Sequence, residues 1–328
     1  MNGQGAPTMK DVAKRAEVSV GTVSKVFNHQ PVGESYRQRV MKAAEELNFR
    51  FNRPARKLPA GKSSTIALIL PDLLDPFYAD FALRVFDVLA QNECSTLLFL
   101  SHGQVEEEKN CLKQACDHGA DGIIALCQSE PEAEQDVALV AIDASYLTRC
   151  PSVTSDNFGG GQLAAQTLRQ LGCTTVLGLE EETSSFGERQ KRLLGFELAC
   201  RSQGVEYQLW RSGEQDGTSI LEFLKAHTQA SRLDFDGIFC TSDEMVYQVR
   251  EYLSECSIAV PGDVQIIGYG GMSKSGMRAF SCSTIRIPVQ EMAETAVNLV
   301  LGKVQSHPGT ISLSVDFLPG KTTEGAQP

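Results

Sequence analysis

Residues 8–28 have the sequence Thr-Met-Lys-Asp-Val-Ala-Lys-Arg-Ala-Glu-Val-Ser-Val-Gly-Thr-Val-Ser-Lys-Val-Phe-Asn, which predicts two short helices joined by a tight turn. Thr8 followed three residues later by Asp11 is a capping-box-like start for the first helix. Ser19 is placed to cap the second helix. Apolar residues recur at helical spacing in both segments, so each helix is expected to bury one face. The stretch favours a helix-turn-helix, although a small amphipathic helical hairpin has the same pattern.

The second predicted helix has an outward face of small, polar and basic residues. These positions are Val20, Gly21, Thr22, Ser24, Lys25 and Asn28. Small side chains let a helix approach base edges closely, and hydroxyl and amide groups can hydrogen-bond phosphates. This face therefore favours a helix that lies in a DNA groove.

Charge is distributed unevenly along the 328 residues, whose net charge is -11. Residues 1–62 contain 12 Lys and Arg against 5 Asp and Glu, a net charge of +7, and the remainder contains 18 against 36, a net charge of -18. Lysine and arginine that neutralise phosphates supply the sequence-independent part of DNA affinity. A basic head on an acidic body thus indicates that the head binds nucleic acid.

A third helix and a basic linker complete the predicted head. The helix is expected from about residue 34 to residue 48, with a buried stripe of Val40, Ala43, Ala44 and Leu47. The linker, residues 51–63, is too short to bury a core, so it is a tether that can fold as a short helix when DNA supplies counter-charge. Leu58 could wedge between base pairs in the minor groove, or be an incidental apolar residue of the tether. The predicted domains are therefore a head at 1–50, a hinge at 51–63 and a body at 64–328.

The body alternates apolar runs with amphipathic segments, which predicts parallel sheets connected by helices. Strands are expected at 66–70, 96–100, 122–126, 137–142, 176–179, 207–210, 237–240 and 264–268, and helices at 78–91, 106–118, 159–171, 189–203, 219–227, 244–255 and 290–301. The series restarts near Thr174, which predicts two Rossmann-like α/β subdomains with a ligand cleft between them. Ligands of open α/β sheets bind beyond the carboxyl ends of strands. This rule directs attention to the loops at 72–78, 155–158, 180–192, 242–243 and 269–271.

Nothing in the sequence argues for catalysis, a metal or a cofactor. The glycines at 159–161 lack the spacing of a phosphate-binding loop, so a close-packed helix start is the better interpretation. The ten cysteines include no C-x-x-C pair, which favours reduced structural thiols over metal binding. The chain has neither a long apolar run nor an export signal, so we expect no membrane span and a cytoplasmic location.

With these motifs in place, the chain resembles the LacI/GalR family of bacterial transcription regulators over nearly its whole length. The head carries Met-Lys-Asp-Val-Ala at 9–13, Val-Ser-Val-Gly-Thr-Val-Ser-Lys-Val-Phe-Asn at 18–28 and Ala-Ala-Glu-Glu-Leu-Asn-Phe at 43–49. The body carries Pro-Asp-Leu-Leu-Asp-Pro-Phe-Tyr at 71–78, Asp-Asn-Phe-Gly-Gly-Gly at 156–161, Arg-Leu-Leu-Gly-Phe at 192–196 and Val-Pro-Gly-Asp-Val-Gln-Ile-Ile-Gly-Tyr at 260–269. The head motifs are highly specific, and the body motifs occur in the order typical of the family.

The resemblance implies a helix-turn-helix head and a body shaped like a periplasmic sugar-binding protein of type I. It implies a repressor that binds a pseudo-palindromic DNA operator as a homodimer and responds to a small-molecule effector in the cleft, such as a sugar or sugar phosphate. Base contacts are implied for Val20, Gly21 and Lys25; phosphate contacts for Thr22, Ser24 and Asn28; minor-groove contacts for Ala55 and Leu58; effector contacts for Phe77, Tyr78, Asp156, Arg192, Ser242 and Tyr269. The alternatives are a small-molecule sensor or carrier without DNA regulation, and an enzyme built on the same body.

The chain departs from the family pattern in the cleft. The family usually has an aspartate after the strand that ends at Tyr269, where it accepts hydrogen bonds from effector hydroxyls, but Gly270 and Gly271 follow here. Ser242 stands where an asparagine is usual. Loss of a carboxylate while Arg192 is kept favours an anionic ligand, or a cleft without a small-molecule ligand.

Overall fold

The computed structural model describes residues 9–27, 31–47, 64–126, 137–144, 150–181, 188–212, 218–271, 282–304 and 308–325. The chain divides between residues 56 and 57 into two compact units, the head and the body. The predicted cap Thr8, the predicted phosphate contact Asn28, and the linker with Ala55 and Leu58 all lie outside the described residues.

The head contains the helices α1 (Met9–Ala16), α2 (Val20–Phe27) and α3 (Glu34–Glu46). Ser19 caps α2 as predicted, because its Oγ accepts a hydrogen bond from the Thr22 amide at 3.0 Å. One valine from each helix, Val12, Val23 and Val40, is fully buried in a shared core. The three helices thus close around a single small apolar centre. The third helix ends two residues before its predicted end.

The body is built from two sheets and their covering helices. Its strands are β1 (Thr65–Leu70), β2 (Ser95–Leu100), β3 (Gly122–Ala125), β4 (Ala138–Ile142), β5 (Pro151–Ser155), β6 (Thr175–Glu180), β7 (Glu206–Arg211), β8 (Thr228–Gln229), β9 (Arg232–Leu233), β10 (Gly237–Cys240), β11 (Gln265–Gly270), β12 (Ser283–Arg286), β13 (Gly309–Leu313) and β14 (Asp316–Leu318). Its helices are α4 (Pro76–Gln91), α5 (Val105–Asp117), α6 (Asn157–Gln170), α7 (Lys191–Gln203), α8 (Ile220–Ala226), α9 (Asp243–Glu255) and α10 (Val289–Val300), with a 3-10 turn at Glu188–Gln190 before α7.

Two parallel sheets define two subdomains. The first subdomain has the strand order β13-β5-β4-β3-β1-β2, all parallel, and packs against α4, α5 and α10. The second has the order β14-β12-β11-β10-β6-β7, parallel except for β14, and packs against α6, α7 and α9. The chain crosses between the sheets after β5, after β12 and after β13. The predicted pair of α/β subdomains is confirmed, but they are interleaved along the chain rather than divided at one point near Thr174.

The eight predicted strands and seven predicted helices of the body lie within two residues of their observed ends. The prediction was wrong in omitting β5, the β8–β9 hairpin, β12, β13 and β14. These strands are short or rich in serine, threonine and charged residues, so they lack the apolar runs that revealed the others. None of the described helices is long and apolar enough to cross a membrane. The nine described cysteines are free thiols.

Helices α6 and α7 approach each other closely through glycines. A Cβ at Gly161 would lie 1.8 Å from the Arg192 carbonyl oxygen, and a Cβ at Gly195 would lie 2.1 Å from the Phe158 carbonyl oxygen. Both distances are far below van der Waals contact, so only glycine fits at this crossing. The predicted close-packed helix start at 159–161 is confirmed, and the crossing fixes where Arg192 emerges from α7.

Candidate nucleic-acid interface and ligand cleft

The outward face of α2 is accessible as the sequence pattern predicts. Val20 is 40% exposed, and Gly21 and Lys25 are exposed, whereas Thr22 and Ser24 are half-buried. A Cβ at Gly21 would meet only the Ser19 Oγ, at 3.6 Å, so the helix backbone is open to close approach there. The opposite face is held in the core by Val23 and Val26. The geometry suits a helix docked in a groove, and the individual base and phosphate contacts remain predictions.

A cavity of about 160 Å³ lies between the two subdomains, at the carboxyl ends of their strands. Its lining is Asp75, Pro76, Phe77, Glu180, Glu181, Arg189, Arg192, Thr241, Ser242, Asp243, Glu244, Met245, Tyr247, Tyr269, Gly270 and Ile287. Of the six predicted effector positions, Phe77, Arg192, Ser242 and Tyr269 line this cavity. Tyr78 and Asp156 lie beside it, and the assignment of all six to an effector remains a prediction.

Arg192 is a buried cation held by neutral groups. Its side chain projects from the first turn of α7, and the residue is 4% exposed. Nε donates to the Asn157 Oδ1 at 2.7 Å, and Nη1 donates to the Thr241 carbonyl oxygen at 2.9 Å. The guanidinium carbon lies 3.9 Å from the centroid of the Tyr269 ring. Burial lowers the pKa of Arg192 from its ordinary value, because desolvation disfavours the charged form.

Tyr269 packs against Arg192, and Asp156 lies next to Tyr269, whose hydroxyl donates to the Asp156 carbonyl oxygen. Burial raises the pKa of Tyr269 to about 12, so the phenol stays protonated and contributes an apolar ring face. The Asp156 carboxylate caps α6 by accepting a hydrogen bond from the Gly159 amide at 2.8 Å. Asp156 is thus engaged in a helix cap and is absent from the cavity lining.

Arg189 connects the two subdomains across the cleft. Its Nη1 and Nη2 both lie 3.3 Å from the Asp75 Oδ2, and its guanidinium carbon lies 5.6 Å and 5.2 Å from the ring centroids of Phe77 and Tyr78. Asp75 also caps α4 by accepting from the Phe77 amide at 2.8 Å. Burial is the largest single effect and opposes the charge of Arg189, but Tyr78, Asp75 and Asp143 together outweigh it, so the pKa of Arg189 is raised. Burial also raises the pKa of Tyr78.

A chain of hydrogen bonds runs from the end of β4 to Arg192. Thr154 Oγ1 donates to the Asp143 Oδ1 at 2.7 Å, and Asn157 Nδ2 donates to the Thr154 Oγ1 at 3.3 Å. Asn157 then accepts from Arg192. Asn157 belongs to the motif at 156–161 but was given no role from the sequence, and Asp143 and Thr154 were not predicted to belong to the site. Recognition of β5 would have drawn attention to Thr154 and Asn157, because Thr154 lies near the end of β5 and Asn157 begins α6 two residues beyond it.

Asp243 holds Gly271 in place, at the end of β11, where the LacI/GalR family usually has an aspartate instead of the glycines. Its Oδ1 accepts from the Thr284 Oγ1 at 2.6 Å, and its Oδ2 accepts from the Gly271 amide at 2.8 Å. Gly271 has a φ of 77°, and a Cβ there would lie 2.6 Å from the Arg286 Cγ, so glycine is required. Ser242 caps α9 by accepting from the Met245 amide at 3.4 Å. The β11 strand continues to Gly270, one residue beyond Tyr269, where no side chain enters the cavity.

We expect Arg189→Gln to loosen the cleft locally, because the variant loses the ion pair that connects the subdomains. Hydrogen exchange should become about threefold faster at 76–80 and at 188–194, while β1 and β10 stay protected. The matched control is Arg84→Gln, because Arg84 pairs with Asp80 within α4 at 3.2 Å and does not cross the cleft. Equal exchange changes in the two variants would contradict a bridging role for Arg189.

Comparisons with known proteins agree with this geometry. The model of bacterial regulatory proteins of the lacI family matches residues 8–52, and the model of the periplasmic binding protein-like domain matches residues 165–323. A ribose operon repressor of Bacillus subtilis strain 168 is 30% identical over 327 residues, with 96% of this chain and 98% of that protein covered.

Two further proteins are similar over almost the whole chain. A sucrose operon repressor of Pediococcus pentosaceus is 27% identical, with 97% of this chain and 98% of that protein covered. The crystal structure of the lac repressor dimer bound to operator and the anti-inducer ONPF has a TM-score of 0.66 at 21% identity, with 97% of this chain and 99% of that chain covered. The predicted architecture, a helix-turn-helix head followed by a two-subdomain body of the periplasmic-binding-protein type, is confirmed.

Proposed function

The chain belongs to the lacI family of bacterial regulatory proteins, and from this premise we propose that it is a sequence-specific transcriptional repressor controlled by a small molecule. The observation that carries this proposal is the exposed, small and basic outer face of α2 on a head of net charge +7. Relatives named as sucrose and ribose operon repressors support the same function. Because its target is chromosomal DNA, the protein acts in the cytoplasm.

In this function two heads, one from each protomer of a homodimer, recognise DNA together. We assign base contacts in the major groove to Val20, Gly21 and Lys25, and minor-groove contacts in the hinge to Ala55 and Leu58. Phosphate contacts by Thr22, Ser24 and Asn28 would fix the docking register. A homodimer places two heads on the halves of a pseudo-palindromic operator, an arrangement supported by the operator-bound dimer of the lac repressor.

The cleft is the effector site in this function. We assign effector contacts to Phe77, Arg192, Ser242 and Tyr269, with Tyr78 and Asp156 supporting them from beside the cavity. Because the cavity is lined by both subdomains, a bound effector would change their relative position. The resulting coupling to DNA binding needs only about 1 to 3 kcal/mol to act as a switch.

The two alternatives fit the molecule less well. A sensor or carrier without DNA regulation needs no basic head with an exposed helix. An enzyme on this body is less well supported, because the named relatives are repressors.

Footprinting on the upstream region of the protein's own gene tests the proposal. The intact chain should protect a pseudo-palindromic site at modest salt in the presence of excess random duplex. A chain that begins after residue 62 should protect nothing. Absence of protection by the intact chain, or equal affinity for every duplex, would exclude the proposed function.

Lys25→Ala is expected to reduce discrimination between the operator and a random duplex by about 1 to 3 kcal/mol, because the exposed amine can bond a guanine edge. Binding titrations on both duplexes at fixed salt measure the difference. Lys109→Ala, which removes the same charge from the body, is the control and should change neither affinity. An equal loss on both duplexes would instead identify Lys25 as a phosphate contact.

A further inference from the structure

The charged side chains that line the cleft differ in whether they have a bonding partner or contact with solvent. Among the acids, Asp75 accepts hydrogen bonds from Arg189, and Glu180 accepts from the Arg211 Nε at 3.3 Å. Asp243 accepts from Thr284 and from the Gly271 amide. The remaining two acids, Glu181 and Glu244, are exposed to solvent. Each carboxylate of the lining is therefore either bonded within the protein or hydrated.

Arg192 is the exception among these charges. It is 96% buried, and its Nε and Nη1 donate to an amide oxygen and a peptide oxygen, both uncharged. Within the described ranges, no carboxylate lies at ion-pair distance from its guanidinium, and Nη2 has no acceptor. Asp143 and Asp75 favour its charge only from beyond that distance. A buried cation without a counter-charge is unfavourable, and buried ionic groups in proteins are normally paired. The wall of the cavity thus offers a positive charge with one donor unused.

We propose that the effector carries an oxyanion, a carboxylate or a phosphate, that binds Arg192 and supplies the missing counter-charge. This inference rests on the proposed function, because it takes the cleft as the effector site. The end of β11 supports it, since Gly270 contributes no carboxylate that would compete for Arg192. A guanidinium and an oxyanion form short, charge-assisted hydrogen bonds, so this contact would dominate recognition. The neutral sugars implied by the names of the relatives would leave the charge of Arg192 unpaired.

The test compares neutral and anionic probes on the full-length protein. The probes are D-ribose, D-ribose 5-phosphate, inorganic phosphate, pyrophosphate and citrate, each titrated to about 10 mM by thermal shift and calorimetry. Three variants separate charge from shape. Arg192→Gln removes the cation, Arg192→Lys keeps it, and Asn157→Asp sets a carboxylate against the Arg192 Nε without a change in size. Arg201→Gln, on the solvent-exposed side of α7, is the matched control.

At least one anionic probe should bind the unchanged protein more tightly than D-ribose does. Its affinity should fall by about tenfold or more in Arg192→Gln and in Asn157→Asp, and by about threefold or less in Arg192→Lys and Arg201→Gln. If Asn157→Asp does not fold, the comparison of the glutamine and lysine variants decides. Anion binding that survives Arg192→Gln, binding of D-ribose alone, or no response to any anionic probe would overturn the inference.

The footprinting experiment keeps the two conclusions separate. A protein that protects an operator but ignores every anionic probe remains a repressor, and only the effector class is wrong. A protein that protects no DNA but binds an anion through Arg192 retains the anion site, and the proposed function fails.

Discussion

A Val23→Asp variant is expected to lose operator binding by about 100-fold or more while its body stays folded. Val23 has no exposed surface and lies in the small core that the three helices of the head share. A buried carboxylate without a partner costs several kcal/mol, which is comparable to the whole stability of a domain of this size. Anisotropy titrations with labelled operator measure the affinity. Thermal unfolding of the full chain should keep the transition of the body, because head and body are separate compact units.

The control for this variant carries the same charge on the surface of the head. Met41 is 53% exposed on α3, so Met41→Asp adds one negative charge without disturbing the core. It should weaken DNA binding only modestly, through repulsion from phosphates that salt screens. If both variants lose affinity to the same extent, charge and not the fold of the head is responsible, and the structural explanation fails.

The fold of the head follows from its sequence because local signals agree with the packing. Apolar residues at helical spacing identify the buried faces of α1 and α2, and Ser19 marks the start of α2. In such a small unit each helix packs against both of the others, so the apolar face of a helix predicts which of its residues make those contacts. Leu47, expected to be buried, is only half-buried because it lies at the end of α3.

The body was most predictable in its central strands, which are apolar on both faces. Strands such as β1 and β10 consist almost entirely of buried apolar residues, which is typical of central parallel strands. In contrast, β5 begins with a proline and contains three hydroxyl side chains, and three of the four residues of β12 are polar. Their burial depends on neighbours that are distant in sequence, so periodicity does not reveal them. Because these strands were not predicted, the interleaving of the two subdomains along the chain was not predicted either.

The residues of the cleft were likewise only partly predictable from the sequence. The resemblance to a family pointed to Arg192 and Tyr269, and the structure places them together. Asp75 and Arg189 are 114 residues apart, and although both lie in loops that the sequence pointed to, nothing in the sequence predicts that they pair with each other. Only the three-dimensional arrangement brings them together across the cleft. The glycines after Tyr269 did indicate the loss of one carboxylate, but only the structure shows that no other carboxylate of the described residues lies at ion-pair distance from Arg192.

Gly161→Ala is expected to destabilise the body by about 3 kcal/mol or more, because α6 and α7 cannot stay in their positions around an added methyl group. The new Cβ would lie 1.8 Å from the Arg192 carbonyl oxygen and 2.8 Å from the Phe196 amide nitrogen, both backbone atoms that no side-chain rotation can move. The helices must separate by more than 1 Å, which is a severe case of overpacking. For a body of this size the midpoint of thermal unfolding should fall by roughly 6 to 12 °C.

The same substitution should also weaken the cleft, since α6 carries Asn157 and α7 carries Arg192 across this crossing. Their hydrogen bond of 2.7 Å depends on the spacing of the two helices, so any anionic probe that binds Arg192 should bind the folded variant more weakly. Gly262→Ala is the matched control, because its Cβ would meet only the Ala259 Cβ at 3.4 Å, an ordinary contact. It should change neither the melting temperature by more than a few degrees nor the affinity for the probe. A Gly161→Ala variant as stable as this control would show that the two helices do not pack backbone to backbone, and the position of Arg192 would then need another explanation.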